Sequence, residues 1–482
     1  MEGLKHRKND AVKHITSFTE WTSTHAIPQI RRSHHFCPIL FWTALFLIGS
    51  VLIVWQTTVL LFAYWEYDFN LQTDQKDGRN LFPAVTICNL NPYRKSVIYQ
   101  QENVQRLMET YEYSLKKLSC NKNPNCIFER NVTFEDYQEK YQFKDLKDPS
   151  SLQARANKIL ILELAGQYVS NATMDFNEFF QGCSFETNDC DLEHWNTFFN
   201  PVLGACFTFN NQSQVYSMRI GSTYGLRVIV KTNISEFIAT SDTAGFRVYV
   251  HDQSEFPFPE VNGVSVDVGA GIGIKVQWKE DDHLAKPYSK CDNTKPDGYL
   301  YPLEYTTEAC QRTYFQVQMV KNCNCYDPHY PQLLNSTGTP ACSVENNFDC
   351  WLQQSNNNTL RYMSCQNPCH RGTYVFEASD ARWPSGSISY VGKCETGMYG
   401  NKTCVEVFQE EGALIEVFYG TLSYEVFSEE GSYKIVNFLA DFGGQLGLWL
   451  GMGIVSIIEF FILAIQLLFT GLHPKAGEVF KF

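Results

Sequence analysis

The chain has 482 residues, with 39 Lys+Arg against 52 Asp+Glu and a formal net charge of −13. So acidic a balance argues against a nucleic-acid binder, which normally shows a basic face, and 44% hydrophobic with 19% charged residues excludes both a disordered polymer and a many-span membrane bundle. Seventeen cysteines place most of the chain in an oxidising compartment unless they hold metal.

Residues 1–36 carry six Lys/Arg (Lys5, Arg7, Lys8, Lys13, Arg31, Arg32) against three acids. Phe36–Phe62 follows, 27 residues without a charge, enough for a helix to cross a bilayer. The run is too long and starts too far from the N-terminus for a cleaved signal peptide. A second apolar stretch, the 24 residues Leu446–Phe469, has Glu459 as its only charge. Lys475 and Lys481 stand against Glu478 in the tail, so both flanks read as cytoplasmic by the positive-inside rule. All seven N-x-S/T sequons (Asn131, Asn171, Asn211, Asn233, Asn335, Asn357, Asn401) lie between the two stretches, as do sixteen of the cysteines. That confinement points to a glycosylated, disulfide-bonded exterior.

Within the exterior, Leu81–Asn89 reads as a short β-branched strand ending in a cysteine, and Ser96–Ser119 as a surface helix with apolar residues at helical spacing. Alternation between Ala205 and Trp278 predicts a β-sheet, and a last strand over Leu414–Phe427 leads toward the second apolar stretch. Gly269-Ala270-Gly271-Ile272-Gly273 looks like a phosphate loop but has no helix pattern after it, so a β-turn is expected. Cys323, Cys325, Cys365 and Cys369 with His329 and His370 suggest zinc, yet disulfides are the stronger expectation outside the cell, and no metal site is assigned. H-E-x-x-H, G-x-S-x-G and Walker patterns are missing from the sequence, and the chain is not read as an enzyme.

The second apolar stretch is the most informative. Gly443, Gly447 and Gly451 fall on one helical face and allow close approach of another helix. Gly451-Met452-Gly453 concentrates backbone freedom where irregular backbone is tolerated only if buried or lining water. Glu459 lies two turns on; repeated about a symmetry axis it would attract cations, and otherwise it is a glutamate bonded to a neighbouring helix.

These residues resemble the epithelial sodium channel/degenerin family, most of all its acid-sensing, peptide-gated and bile-acid-gated members. The resemblance covers nearly the whole chain. It rests on Phe82–Asn91 (FPAVTICNLN), Ala244–His251 (AGFRVYVH), the cysteines of 291–369, and Asp441–Gly447 (DFGGQLG) with Glu459. It implies a trimer with two transmembrane helices and a large α+β disulfide-rich extracellular domain of palm, β-ball, finger, thumb and knuckle. The implied layout is a cytoplasmic N-terminus over 1–35, a first membrane helix at 36–63, an extracellular domain at 64–437, a pore-lining helix at 438–469 and a tail at 470–482. Inside the extracellular domain, about 89–190 would be finger, about 205–280 palm and β-ball, 291–370 thumb, and 371–437 knuckle and last palm strand. The implied function is a voltage-independent, sodium-permeable plasma-membrane channel, blocked by amiloride, without a cofactor. Its partners would be two further copies or related subunits, membrane lipid, and an extracellular stimulus such as an amidated neuropeptide, protons, another small ligand or calcium. A constitutive sodium leak, an ATP-gated type of trimer and a non-conducting receptor or auxiliary subunit are the alternatives.

Carried onto this sequence, the family pattern implies the disulfides Cys88–Cys206, Cys183–Cys190, Cys291–Cys369, Cys310–Cys365, Cys323–Cys350 and Cys325–Cys342. Proximity adds Cys120–Cys126 and Cys394–Cys404, leaving Cys37 as a free thiol, while Tyr314 and Met363 replace one rung of the thumb ladder. The family's His-Gly re-entrant motif is here His25-Ala26, and its G-x-S selectivity signature is Gly451-Met452-Gly453. Alanine at a positive φ costs about 1 kcal/mol, and losing the serine makes the sodium preference less certain than in the family. Ala440 and Asp441 match the degenerin position and the gate, together with Gly443, Gly444 and Gly447. Tyr288 matches an aromatic that couples thumb to first span. Asp281, Asp282, Glu410, Glu411, Glu429 and Glu430 are crowded carboxylates whose pKa values crowding would raise.

Overall fold

The computed structural model describes residues 2–78, 80–121, 126, 128–165, 170–333, 338–356, 365–387 and 402–472. Two compact units result, Met1–Gln72 with Lys286–Tyr288 and Glu429–Phe482, and Thr73–Ala285 with Ser289–Ser428. Among the described residues the helices of six or more residues are α1 (Glu2–Trp21), α2 (Ile27–Arg32), α3 (Phe36–Trp65), α4 (Glu102–Asn121), α5 (Val132–Lys140), α6 (Pro149–Glu163), α7 (Thr307–Cys323), α8 (Phe348–Ser355), α9 (Cys404–Glu411), α10 (Ile435–Leu450) and α11 (Ile454–Leu472). The strands are β1 (Phe69–Asp77), β2 (Ala84–Asn89), β3 (Phe180–Phe185), β4 (Asn188–Asp189), β5 (Trp195–Asn200), β6 (Gly204–Phe209), β7 (Leu226–Lys231), β8 (Gly245–His251), β9 (Val264–Asp267), β10 (Ala270–Asp282), β11 (His370–Arg382), β12 (Gly412–Tyr419) and β13 (Ser423–Gly431).

Two sheets carry the second unit. One runs β5-β6-β2-β8-β9; the other runs β1-β13-β10-β12-β7-β3-β4, with β11 added on β10. Central β2 is buried along its whole length, which explains its run Ala-Val-Thr-Ile-Cys-Asn with no polar alternation. Inward residues of both sheets, among them Ile87, Phe207, Val228, Ile274 and Val417, form one core. The helices build another: Val104, Leu107 and Met108 of α4 and Leu152, Ala156 and Ile159 of α6 pack with Met319 of α7 and Trp351 of α8. The helix expected on the surface over Ser96–Ser119 therefore starts at Glu102 and hides one whole face, as its apolar spacing requires.

The single last strand expected over Leu414–Phe427 is two strands, β12 and β13, separated by residues 420–422, where the Thr421 hydroxyl accepts from the Ser423 N–H at 3.1 Å. Of the β-turn expected over Gly269–Gly273, only Gly269, at φ +73°, lies in the β9–β10 turn; Ala270–Gly273 open strand β10. Cys88 and Cys206 face each other directly across β2 and β6 with Cα atoms 4.4 Å apart, the spacing of a non-hydrogen-bonded antiparallel pair. Cys183–Cys190, Cys291–Cys369, Cys310–Cys365, Cys323–Cys350, Cys325–Cys342 and Cys120–Cys126 are also joined. Cys404 is disulfide-bonded, its expected partner Cys394 lies outside the described residues, and Cys37 is a free, exposed thiol.

In the first unit, α3 is 30 residues long and the one unbroken helix among the described residues that is long and apolar enough to cross a membrane. At 1.5 Å per residue it reaches about 45 Å, against roughly 30 Å of hydrocarbon. It packs on α10 at Gly49, where an added methyl would stand 3.1 Å from the Trp449 carbonyl oxygen. Trp449 donates from Nε1 to Gln56 of α3 at 2.7 Å.

Candidate functional site

The apolar stretch 438–469 is not one helix. α10 stops at Leu450 and α11 starts at Ile454, with an 81° bend between them. Gly451 causes the stop: at φ +63° it takes the left-handed cap conformation that glycine adopts without a side-chain penalty. Its N–H donates to the Gly447 carbonyl at 3.0 Å, and the Met452 N–H donates to Leu446 at 3.1 Å. Those bonds satisfy two of the carbonyls that a helix end leaves without partners.

A third, that of Leu450, is met from the N-terminal segment. The His25 N–H donates to it at 2.9 Å. The chain between α1 and α2 turns back on itself here, and Ala26 is buried at φ +71°, ψ −40°. The positive φ expected to strain an alanine is the one this alanine adopts, at a cost of about 1–2 kcal/mol. The contact is close: a methyl added to Gly451 would sit 1.8 Å from the His25 ring.

Glu459 is 8% exposed. Its Oε2 accepts from the Thr22 hydroxyl at 2.9 Å, the Ser23 N–H at 2.8 Å and the Ser23 hydroxyl at 3.2 Å. Ser456, one turn earlier on the same face, shares a 2.6 Å hydrogen bond with the Ser23 hydroxyl and accepts from the Gly453 N–H at 3.3 Å. The glutamate and the His25-Ala26 turn thus form one polar seat, and Phe18 covers its flank with a ring 4.9 Å from Phe460. Thr22, Ser23 and Ser456 were not read as site residues; the polar triplet Thr22-Ser23-Thr24 before His25 was their only signal.

On α10, Ala440, Asp441, Gly443, Gly444 and Gly447 are exposed. Asp441 accepts from the Tyr433 hydroxyl at 2.7 Å. A methyl on Gly443 or Gly444 would meet nothing within 4 Å, and one on Gly447 would meet only the Met452 oxygen at 4.0 Å. Tyr288 packs edge-on against Tyr67 at 5.3 Å, and a methyl on Gly431 would stand 3.1 Å from its hydroxyl.

The crowded carboxylates are mostly ion-paired. Lys279 holds Asp281 at 2.9 Å, Lys231 holds Glu411 at 3.3 Å, Lys434 holds Glu430 at 3.0 Å, and Lys402 contacts Glu410. Asp282 pairs with His370 across β10 and β11 and raises the His370 pKa. Glu429 is buried. Burial raises two other carboxyls: Glu163, and Glu255, which is pushed up to about 7 beside Asp252 and Glu304, with Arg371 at 3.9 Å opposing the shift.

Of the sequons, Asn131 caps α5 by accepting from the Thr133 and Phe134 N–H groups, Asn233 caps a short 3-10 turn, Asn171 is exposed and Asn211 half-buried. Asn335, Asn357, Asn401 and Met363 lie outside the described residues. His329 and His370 bind Asp327 and Asp282 respectively, and no group of metal-ligating side chains occurs among the described residues.

Comparison with known proteins extends this picture. Residues 18–463 match the family model described as amiloride-sensitive sodium channel. The degenerin-like protein asic-2 of Caenorhabditis elegans is 28% identical over 93% of this chain and 85% of its own length. Degenerin mec-10 of the same organism is 24% identical over 96% of this chain and 85% of its own. Degenerin unc-8 is 31% identical over 70% of this chain, but only 46% of its own length is matched.

Proposed function

The chain belongs to the amiloride-sensitive sodium channel family, and from that premise we propose that it forms a trimeric, voltage-independent, sodium-permeable channel of the plasma membrane, gated or modulated from outside the cell. In this reading α3 and the broken pair α10–α11 are the two spans, both termini are cytoplasmic, and the α10 segments of three copies surround the pore. The observation that carries it is the break at Gly451–Gly453, seated on the His25-Ala26 turn and Glu459. Irregular backbone inside an apolar stretch needs water or protein for its peptide groups, and a pore supplies both. Free carbonyls at such a break are oxygen ligands for a dehydrating cation.

The test is expression of the chain alone in oocytes, with external sodium exchanged for a large impermeant cation, with and without amiloride, across external pH. A sodium-carried, amiloride-sensitive current is expected. Protein at the cell surface with no cation current under any condition overturns the homomeric channel; current restored only by co-expressing a relative assigns the chain to an auxiliary subunit.

A further inference from the structure

The charge-free run of α3 holds one side-chain amide, Gln56. An amide taken out of water without a hydrogen bond is costly, and polar side chains between apolar helices bind them to one another. Gln56 is half-buried, and its Oε1 accepts from the Trp449 indole of α10 at 2.7 Å. Gly49 and Ile53 lie on the same face of α3, seven and three residues earlier, and both are buried. Val51, Val54, Trp55 and Val59 around them are more than half exposed. The strip Gly49–Ile53–Gln56 is therefore the face that α3 gives to α10.

Trp449 is the last residue but one of α10 and stands two residues before Gly451. Three contacts fix this end of the helix. The Trp449 carbonyl lies against Gly49, where an added methyl would stand 3.1 Å from its oxygen. The indole bonds Gln56, and the carbonyl of Leu450, next in the chain, accepts from the His25 N–H at 2.9 Å. The indole also has a second acceptor, Gln445 Oε1, one turn back on α10 at 3.2 Å. The shorter bond crosses to α3 and the longer stays within α10. One N–H between two acceptors can leave the neighbouring helix without becoming unsatisfied, so α10 has a bonded arrangement in which α3 no longer holds it.

We propose that Gly49 and Gln56 are positioning residues for the break: through Trp449 they set where the carbonyls of Gly451 and Met452 stand, and so which cations pass. Carbonyl oxygens discriminate among cations by their number and placement, so a shift of this helix end is read as a changed permeability ratio. That consequence rests on the channel reading above; the clasp between Gln56 and Trp449 does not.

The clasp is therefore tested first without current, on the purified full-length chain. Gln56→Leu is expected to lower the melting temperature of the parent but not that of a Trp449→Phe chain, where the amide has no indole to accept. Equal falls in both backgrounds overturn the clasp. Permeation is then read in oocytes from the reversal potential when external sodium is exchanged for potassium, a quantity independent of how many channels reach the surface. Gln56→Leu and Trp449→Phe are each expected to change the sodium-to-potassium ratio by about twofold or more, and the double variant to change it no further. Gly49→Ala presses on Trp449 from its main-chain side and gives the same readout should Gln56→Leu fail to reach the surface. With a conducting parent, an unchanged ratio in Gln56→Leu or Gly49→Ala at the surface, or effects that simply add in the double variant, overturns the proposal. A parent at the surface without current overturns instead the channel reading and the permeation role with it, while the melting cycle still decides the clasp.

Discussion

Residues 291–369 and the break in the second apolar stretch both hold irregular backbone, and they hold it by opposite means. In residues 291–369 four disulfides fix the chain: Cys291–Cys369, Cys310–Cys365, Cys323–Cys350 and Cys325–Cys342. Buried Asp327 adds bonds from the Trp351 indole at 2.8 Å and from His329 Nδ1 at 2.6 Å. At the break there is no covalent tie. The His25 N–H and the Thr22, Ser23, Ser456 and Glu459 contacts are the seat, and each is worth about 0.5–1.5 kcal/mol net. Cross-links stabilise by restricting the unfolded chain, whereas a few hydrogen bonds leave a second arrangement within reach of a few kcal/mol. The contrast teaches that the ladder is suited to standing still and the seat to switching.

The sharpest way to break this comparison is Gly451→Ala. The new methyl lands on the His25 ring at a positive φ, and overpacking of this sort costs about 1–3 kcal/mol. Current per surface channel, counted by biotinylation, is expected to fall by about tenfold; an unchanged current would mean that the turn is not seated there in the working channel. Reductant comes next. Losing a long closure in the ladder costs about 2–4 kcal/mol, so Cys310→Ala with Cys365→Ala is expected to lower the melting temperature of the purified chain by several degrees while leaving ion permeability ratios intact. Glu459→Gln keeps the shape of the seat but weakens its acceptor for three donors; a change in single-channel conductance of about twofold, with normal surface expression, is the expected result. Conductance equal to the parent's would relegate Glu459 to packing.

Acid acts on the second unit with a definite sign. Glu255 has its folded value pushed up from 4.5 to about 7, so its contribution to stability is complete below about 4.5 and fades as pH rises through 7. His370, raised above 6.5 by its bond to Asp282, contributes fully below 6.5 and is lost above its raised value, in the same direction. The melting temperature is expected to be a few degrees higher at about pH 5 than at about pH 8, and Glu255→Gln to shrink the difference. A parent chain more stable at the alkaline end would contradict the burial of that carboxyl. The smallest effect belongs to Ala26→Gly, which relieves the positive φ for a gain of at most about 1 kcal/mol, read as slower loss of current on warming.

What the sequence disclosed, and what it hid, divides along the range of the interaction. The glycines that end α10 announce themselves, because a left-handed cap selects for them locally, and the cysteine pairs follow from the family's ladder. The strain at Ala26 was legible for the same reason: one residue, one dihedral angle. The bonds from Thr22 and Ser23 to Glu459 span more than 400 residues of chain, and nothing in a hydroxyl's neighbourhood says which distant carboxylate it will meet. Glu255 escaped notice because its pKa comes from burial by strands and loops remote in sequence, while the carboxylates that look crowded, Asp281, Glu410 and Glu411, have lysines beside them in space.

The bare face of α10 has a consequence for heredity as well as for shape. Inside a single copy, nothing approaches the place where a side chain on Gly443 or Gly444 would begin, and each glycine in a helix interior forfeits about 1 kcal/mol relative to alanine. A solitary molecule would be sturdier with two methyl groups there. Under the proposed assembly, a neighbouring backbone pressed against the strip, or ions slipping past it, would keep those methyls out.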